Sequence, residues 1–305
     1  MNYRLKQLNR SSKTIQTDRG IYNRFKGAVV NKKLSDITEE SLNDWVRTKV
    51  KEVTPKPEAL RRWLLQVNAV FDYGIKCHLC SINVAKYIDI QNYIKDCDLQ
   101  KKSDEEKEFS EEEIQRLSED AMKRQNNPRA VMLLMAKCTG MRAGELPALL
   151  WADVGNDSIH IHRQQLLDNS VKGARSYNDV QYTKNERAHP DDGRYFPITD
   201  ELSRVLDLAR RLPGVSEYVF HTPDGETVTK DSYELFLKRR CRTLGIPATN
   251  NHAFRMSLNT KLISLGLDAS QRALLLGHSV RTNEMHYSLT DKRRVAALGS
   301  VLKNL

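Results

Sequence analysis

Cys138-Thr139-Gly140-Met141-Arg142-Ala143-Gly144-Glu145-Leu146 is the stretch from which this chain is best read. It follows an apolar run, Ala130 to Ala136 (AVMLLMA), which is the length of a core helix and far below the roughly 18 residues of a membrane span. Gly140 closes that helix. A new helix is expected over 143–150, which places Arg142 near a helix N-terminus. Such a terminus presents free amides to an anion, and a guanidinium binds a phosphate through two parallel hydrogen bonds. Glu145, three residues on, is placed to orient a cationic partner. Taken alone, the same residues also read as a surface ion pair after a turn.

Outward from this point the pattern is mixed. Helices are expected at 110–124, 128–138, 199–211, 229–243, 252–265, 268–276 and 281–287, with a last one near 291–304. Ser110 followed by Glu111, Glu112 and Glu113 forms a capping box, with acids favourable to the helix dipole. Alternating stretches at 158–162, 180–183 and 194–198 predict a small antiparallel sheet of two or three strands. Upstream, residues 100–108 (QKKSDEEKE) hold no apolar side chain and read as a linker. Before it the periodicity is helical. Ile15, Ile21, Tyr22 and Phe25 share a stripe, Ser35 is expected to cap a segment burying Ile37, Leu42, Trp45 and Val46, and Pro57 opens a helix burying Leu60, Trp63, Leu64, Val67, Val70 and Phe71. These residues predict a bundle of about four helices over 12–95. The fold class is therefore mainly α with a small antiparallel β-sheet (α+β).

Composition narrows the function. The chain has 305 residues, 39% hydrophobic and 29% charged, with a net charge of +10. That length suggests two domains of about 100–200 residues. Residues 1–100 carry 18 Lys/Arg against 11 Asp/Glu, a net of +7, while the remainder carries 31 against 28, a net of +3. A basic first third points to a polyanion, and the absence of a lipid anchor or basic amphipathic tail favours nucleic acid over membrane. The first residues, MNYRLKQLNRSSK, contain no apolar signal core. Five scattered cysteines fit reduced thiols and a cytoplasmic setting. Cys77-His78-Leu79-Cys80 is half a zinc site, but no second ligand pair follows, so buried thiols at a helix end are expected and no metal.

Dinucleotide, P-loop, H-E-x-x-H and G-x-S-x-G signatures do not occur. Arg, Lys, His and Tyr remain, which is a side-chain set for metal-free handling of a phosphodiester. His252-Ala253-Phe254-Arg255 opens a helix with His252 and Arg255 one turn apart. Leu276-Gly277-His278 ends a helix, and Tyr287 follows nine residues later. Each motif alone has an ordinary structural explanation. Together, Arg142, His252-x-x-Arg255, Leu276-Gly277-His278 and Tyr287, with 23 residues from Arg255 to His278, resemble the tyrosine recombinase (phage integrase) family over essentially residues 10–300.

That resemblance implies a helical core-binding (SAM-like) DNA-binding domain at 1–100, a linker at 101–109, a catalytic domain at 110–289, and a tail at 290–305 that packs on a neighbouring protomer. It implies a lysine on a hairpin between the two arginines. Tyr182-Thr183-Lys184-Asn185 is similar to that turn, so Lys184 is the choice and Lys172 the rival, the latter also a DNA-binding candidate together with Arg61 and Arg62. In the implied chemistry Tyr287 attacks the scissile phosphate, leaving a 3′-phosphotyrosine and a 5′-hydroxyl. Arg142 and Arg255 clamp the non-bridging oxygens, and Lys184 protonates the leaving oxygen. His252 moves the tyrosine proton and His278 hydrogen-bonds the phosphate. No cofactor is needed, because the covalent link conserves the phosphodiester energy. Implied partners are a double-stranded recombination site, a homotetramer on DNA and accessory DNA-bending proteins, with no membrane. The setting is the cytoplasm of a bacterial or phage-infected cell, associated with the nucleoid. A mobile-element integrase is the expectation. A Xer-type resolvase, a type IB topoisomerase-like enzyme and a catalytically inactive DNA-binding protein are the alternatives. The dozen polar residues before the first helix fit either a two-domain recombinase or a piece of a longer integrase with an arm-binding domain.

Overall fold

The computed structural model describes residues 12–25, 27, 32–99, 107–168, 176–181, 193–277 and 280. The chain divides into two compact units, residues 1–101 and 102–305, each with its own core. It is mainly α-helical with short antiparallel β-pairs, as the periodicity predicts. Among the described residues no helix is long and apolar enough to cross a membrane.

In the first unit, α1 is Ser12–Phe25, α2 is Glu39–Val53 and α3 is Pro57–Lys76. The helix stripes meet in one core in which Leu42, Val46, Val50, Leu60, Trp63, Val67 and Phe71 are buried, and the Trp45 and Trp63 rings lie 4.8 Å apart. α2 is capped by Thr38 and not by Ser35. Thr38 Oγ1 accepts from the Ser41 N–H and Ser41 Oγ accepts from the Thr38 N–H, both at 3.1 Å. Ser35 instead bonds its neighbour Asp36 within a 3-10 turn, and extended Ile37 separates that turn from the helix. Among the described residues of this unit a fourth long helix does not form. Ala85, Ile88, Tyr93 and Cys97 close the core from short turns and the single-turn helix α4, Gln91–Ile94, because their spacing fits no continuous stripe. Cys77 is exposed and Cys80 half-buried, which corrects the expectation of a buried thiol pair: the chain leaves the core at the end of α3.

The second unit is built around a helix buried on every side. α5 is Glu111–Met122, held by the expected Ser110/Glu113 capping box. α6 is Pro128–Thr139, with all of 130–136 buried. α7 (Asp200–Arg210), α8 (Lys230–Thr243) and α9 (His252–Ser264) pack on α6 together with α5. A helix apolar all round belongs at the centre of a layered domain. α10, Ala269–Leu276, packs on α9 and on β4.

The strands form two separate antiparallel pairs among the described residues. β1 (Ser158–Ile161) pairs with β4 (Arg194–Pro197), with Ile159 opposite Phe196 and Ile161 opposite Arg194. β2 (Gln164–Asp168) pairs with β3 (Ser176–Val180). Sequence pattern missed β2, since Gln-Gln-Leu-Leu-Asp does not alternate, and it placed β3 at 180–183, several residues too late. Val180 is instead the residue paired with Gln164.

The helix expected at 143–150 is only a turn. The Glu145 and Leu146 N–H groups donate to the Arg142 carbonyl at 2.9 and 3.3 Å, and then Pro147 stops propagation. It has no N–H to donate, and its ring disfavours helical geometry at Leu146. At the start of the unit, Phe109 is buried against Phe254 with ring centroids 4.5 Å apart. Its N–H donates to Ser257 Oγ at 2.8 Å, and Thr260 Oγ1 donates to Glu108 at 2.7 Å. The two residues before Ser110 are thereby fastened to α9. The expected helices at 281–287 and 291–304 lie outside the described residues.

Candidate active site

Three buried elements converge on the Arg142 turn. Gly140 caps α6 with φ of +60°, a conformation that favours glycine. A Cβ there would lie 3.1 Å from Leu276, 3.2 Å from Leu258 and 3.5 Å from the Arg255 Cα, so α9 and α10 approach the turn closely only because this side chain is missing. Asn251, just before α9, donates from Nδ2 to the Met141 carbonyl at 2.8 Å and accepts from Tyr233 Oη at 2.6 Å. Tyr233 is buried, which pushes its phenol well above its ordinary pKa. Gln165 on β2 ties the other side: its N–H donates to the Gly144 carbonyl and its Oε1 accepts from the Lys230 N–H, both at 2.7 Å.

Within this frame one carboxylate serves two arginines. Arg142 Nη1 donates to Glu145 Oε1 at 2.7 Å, and the Arg142 N–H donates to Oε2 at 2.8 Å. Arg194, the first residue of β4, donates from Nη1 to Oε1 at 3.1 Å and from Nη2 to Oε2 at 2.6 Å. The Arg142 side chain remains 20% exposed, whereas those of Glu145 and Arg194 are 0% and 4% exposed. Arg142 Nη2 also donates to the Gly277 carbonyl at 2.5 Å. Gly277 caps α10 at φ +61°, and a Cβ on it would sit 3.0 Å from Arg194 Cδ. Arg255, 1% exposed, donates from Nη1 to the Gly140 carbonyl at 3.0 Å.

Among the described residues, the charge of this cluster is unbalanced. Burial pushes the Glu145 carboxyl up, but the charge and hydrogen bonds of Arg194, then the charges of Arg142 and Arg255, outweigh burial and hold it well below the usual carboxylate range. Arg255 is pulled well below its ordinary value by burial, then by the neighbouring charges of Arg142 and Arg194, with Glu145 opposing. Two guanidiniums bond one carboxylate and a third, Arg255, lies within range of its charge, in a largely dehydrated setting. Such a site attracts an anion strongly, because electrostatic interactions weaken little where water is excluded.

The structure thus brings together Arg142, Glu145 and Arg255 of the sequence-predicted set. His252 is exposed in the first turn of α9, three residues before the buried Arg255. Arg61 and Arg62 are exposed on α3 in the first unit, Arg61 with Glu58 at 3.9 Å. Lys172, Lys184, His278 and Tyr287 lie outside the described residues. Lys172 falls in sequence between β2 and β3, Lys184 between β3 and β4, and His278 directly after Gly277. Arg194 was missed by sequence reasoning. A signal existed: Arg194 and Phe196 are the inward residues of an alternating strand, and an arginine at an inward position demands a buried anion. Among the described residues no three His, Cys, Asp or Glu side chains are grouped to hold a metal.

The fold and site define a mainly helical unit with an arginine-rich centre. A sequence model of the phage integrase family matches residues 107–294, and the chain belongs to that family. A tyrosine recombinase XerC-like protein of Caldanaerobacter subterraneus subsp. tengcongensis is 29% identical over 187 residues, which is 56% of this chain and 47% of that protein. The chain therefore spans about half the length of that relative. The fold is similar to the Tn1549 transposon integrase in complex with a circular intermediate DNA (TM-score 0.76, 15% identity, covering 97% of this chain and 96% of that one). It is also similar to a lambda integrase tetramer bound to a Holliday junction (TM-score 0.63, 15% identity, covering 90% and 74%).

Proposed function

We propose that this chain is a site-specific DNA recombinase that cuts and rejoins strands through a covalent 3′-phosphotyrosine, serving integration and excision of a mobile element. The observation that carries this reading is the cluster in which Arg142 and Arg194 share the buried Glu145 carboxylate, with the buried Arg255 guanidinium close enough to feel all three charges. Tyr287 Oη attacks the scissile phosphorus, the P–O bond to Tyr287 forms, and the P–O5′ bond breaks. The tyrosine proton passes to His252, and the departing 5′-oxygen takes a proton from Lys184. An unperturbed phenol has a pKa of about 10, so the step depends on stabilising the charge that accumulates on the phosphate. Arg142 and Arg255 supply that stabilisation, with a hydrogen bond from His278. Reversal by a different 5′-hydroxyl joins new strands without an external energy source.

Under this reading residues 1–100 form the helical DNA-binding domain, 101–109 the linker, 110–289 the catalytic domain and 290–305 an exchange tail between protomers. Arg61, Arg62 and Lys172 contact the DNA backbone. The working assembly is a tetramer on double-stranded DNA, assisted by DNA-bending proteins, in a bacterial cytoplasm. The structurally similar integrases, one in complex with a circular intermediate DNA and one a tetramer bound to a Holliday junction, support the partner and the assembly. The XerC-like name of the sequence relative favours a second reading, a Xer-type resolvase.

Covalent trapping tests the proposal. The protein is mixed with fragmented DNA of its source, denatured in SDS, and the protein-linked ends are sequenced, with Tyr287→Phe alongside. Tyr287-dependent adducts at two unlike paired sites are expected, whereas one self-matched chromosomal site would favour the resolvase. Scattered adducts would mean a topoisomerase-like enzyme, and DNA binding with no adduct would contradict strand cleavage altogether.

A further inference from the structure

Arg194 lies outside the set of residues the family resemblance implies, yet it is bound to the carboxylate at the centre of the site through two hydrogen bonds. Both of its terminal nitrogens go to Glu145, at 3.1 and 2.6 Å. Glu145 Oε1 accepts from Arg142 as well, at 2.7 Å, so the two guanidiniums divide one negative charge. The ring of contacts closes through Gly277, whose carbonyl holds Arg142 Nη2 and which lies so near Arg194 that a Cβ on it would meet Cδ at 3.0 Å.

This arrangement has a consequence for Arg142. Without Arg194, the Glu145 carboxylate would be left to Arg142 alone, drawing its guanidinium inward and neutralising the charge that its exposed part offers an anion. Arg194 itself is 4% exposed with both Nη atoms committed to Glu145, so it does not reach a substrate.

We propose that Arg194 is a positioning residue for strand cleavage, acting through Glu145 to fix the Arg142 guanidinium and keep its charge available to the scissile phosphate. The inference rests on the reading of this site as a phosphodiester-cleaving centre.

The test uses the full chain and a synthetic duplex carrying a mapped cleavage site, with either an ordinary phosphodiester or a methylphosphonate at the scissile position. A methylphosphonate replaces one charged oxygen by a neutral methyl group and so lessens the need for Arg142. Single-turnover adduct formation and duplex affinity are measured for the unaltered chain, Arg194→Lys and Arg194→Met. Expected are affinities close to the unaltered chain, an adduct rate on the phosphodiester lower by about 100-fold, the scale of a small misplacement of a reacting group, and recovery of most of that loss on the methylphosphonate. Equal losses on both substrates would assign Arg194 to the core and overturn the proposal, as would unaltered rates or the failure of both variants to fold. No adduct from the unaltered chain on any duplex would overturn the reading of the site itself, a result distinct from a defect confined to the variants.

Discussion

Arg194 Nη2 lies 2.6 Å from Glu145 Oε2 across a separation of 49 residues, joining the first residue of β4 to the turn that carries Arg142. This bond fastens a strand to a turn with few backbone hydrogen bonds of its own, and it ties the strength of the fold to the charge of the site. The consequences are measurable.

Glu145→Gln removes the carboxylate and leaves three guanidiniums together. Breaking a buried pair from one side costs about 3–5 kcal/mol, and urea denaturation reads the loss. The pH dependence has a definite sign. The folded carboxyl is held below its ordinary range, so its stabilisation is complete above the unfolded-chain pKa of about 4.3 and disappears as pH falls through the depressed folded value. The gap in Tm between the unaltered chain and Glu145→Gln is therefore constant near neutrality and narrows below about pH 4.

Arg255→Met separates stability from activity. The substitution relieves the repulsion of this buried guanidinium from Arg142 and Arg194 but removes its hydrogen bond to the buried Gly140 carbonyl, a loss of about 1–3 kcal/mol. The variant is expected to melt modestly lower than the unaltered chain while its adduct rate per folded molecule falls by about 100-fold or more. A calorimetric scan with the trapping assay checks both halves.

Gly277→Ala combines two effects. At φ +61° a Cβ costs about 1–2 kcal/mol, and here it would also press on Arg194 Cδ at 3.0 Å. Adduct formation per folded molecule should drop by about 10-fold or more, a loss that stability alone does not account for.

Asp120→Ala is the contrasting case. Asp120 accepts from Arg240 Nε and Nη2, both at 2.7 Å, and from Arg124 Nη1 at 2.8 Å. Its removal should destabilise the unit by about 3 kcal/mol. Adduct formation per folded molecule should stay unchanged, since none of these residues touches the arginine cluster.

The helical framework was legible because its signals are local. Ser110 with Glu113, the all-apolar run 130–136 and the glycines after α6 and α10 mark helices whose observed bounds lie within two residues of those expected. Arg142, Glu145 and Arg255 were legible through spacing. What the sequence hid depends on pairing at a distance. β2 has no alternation and exists through its ladder with β3. Arg194 shows its importance only when β4 is laid beside the Arg142 turn. The overextended helix at 143–150 was a different failure, since Pro147 was in view and its missing N–H should have ended the helix.

The most direct measurement is the identity of the residue that carries DNA. A trapped adduct is digested with nuclease and protease, and the peptide bearing the residual nucleotide is sequenced by mass spectrometry. The account predicts a 3′-phosphonucleotide on Tyr287 and none from Tyr287→Phe. A nucleotide on a serine or on another tyrosine, or cleaved DNA with free 3′-hydroxyl ends, would contradict it.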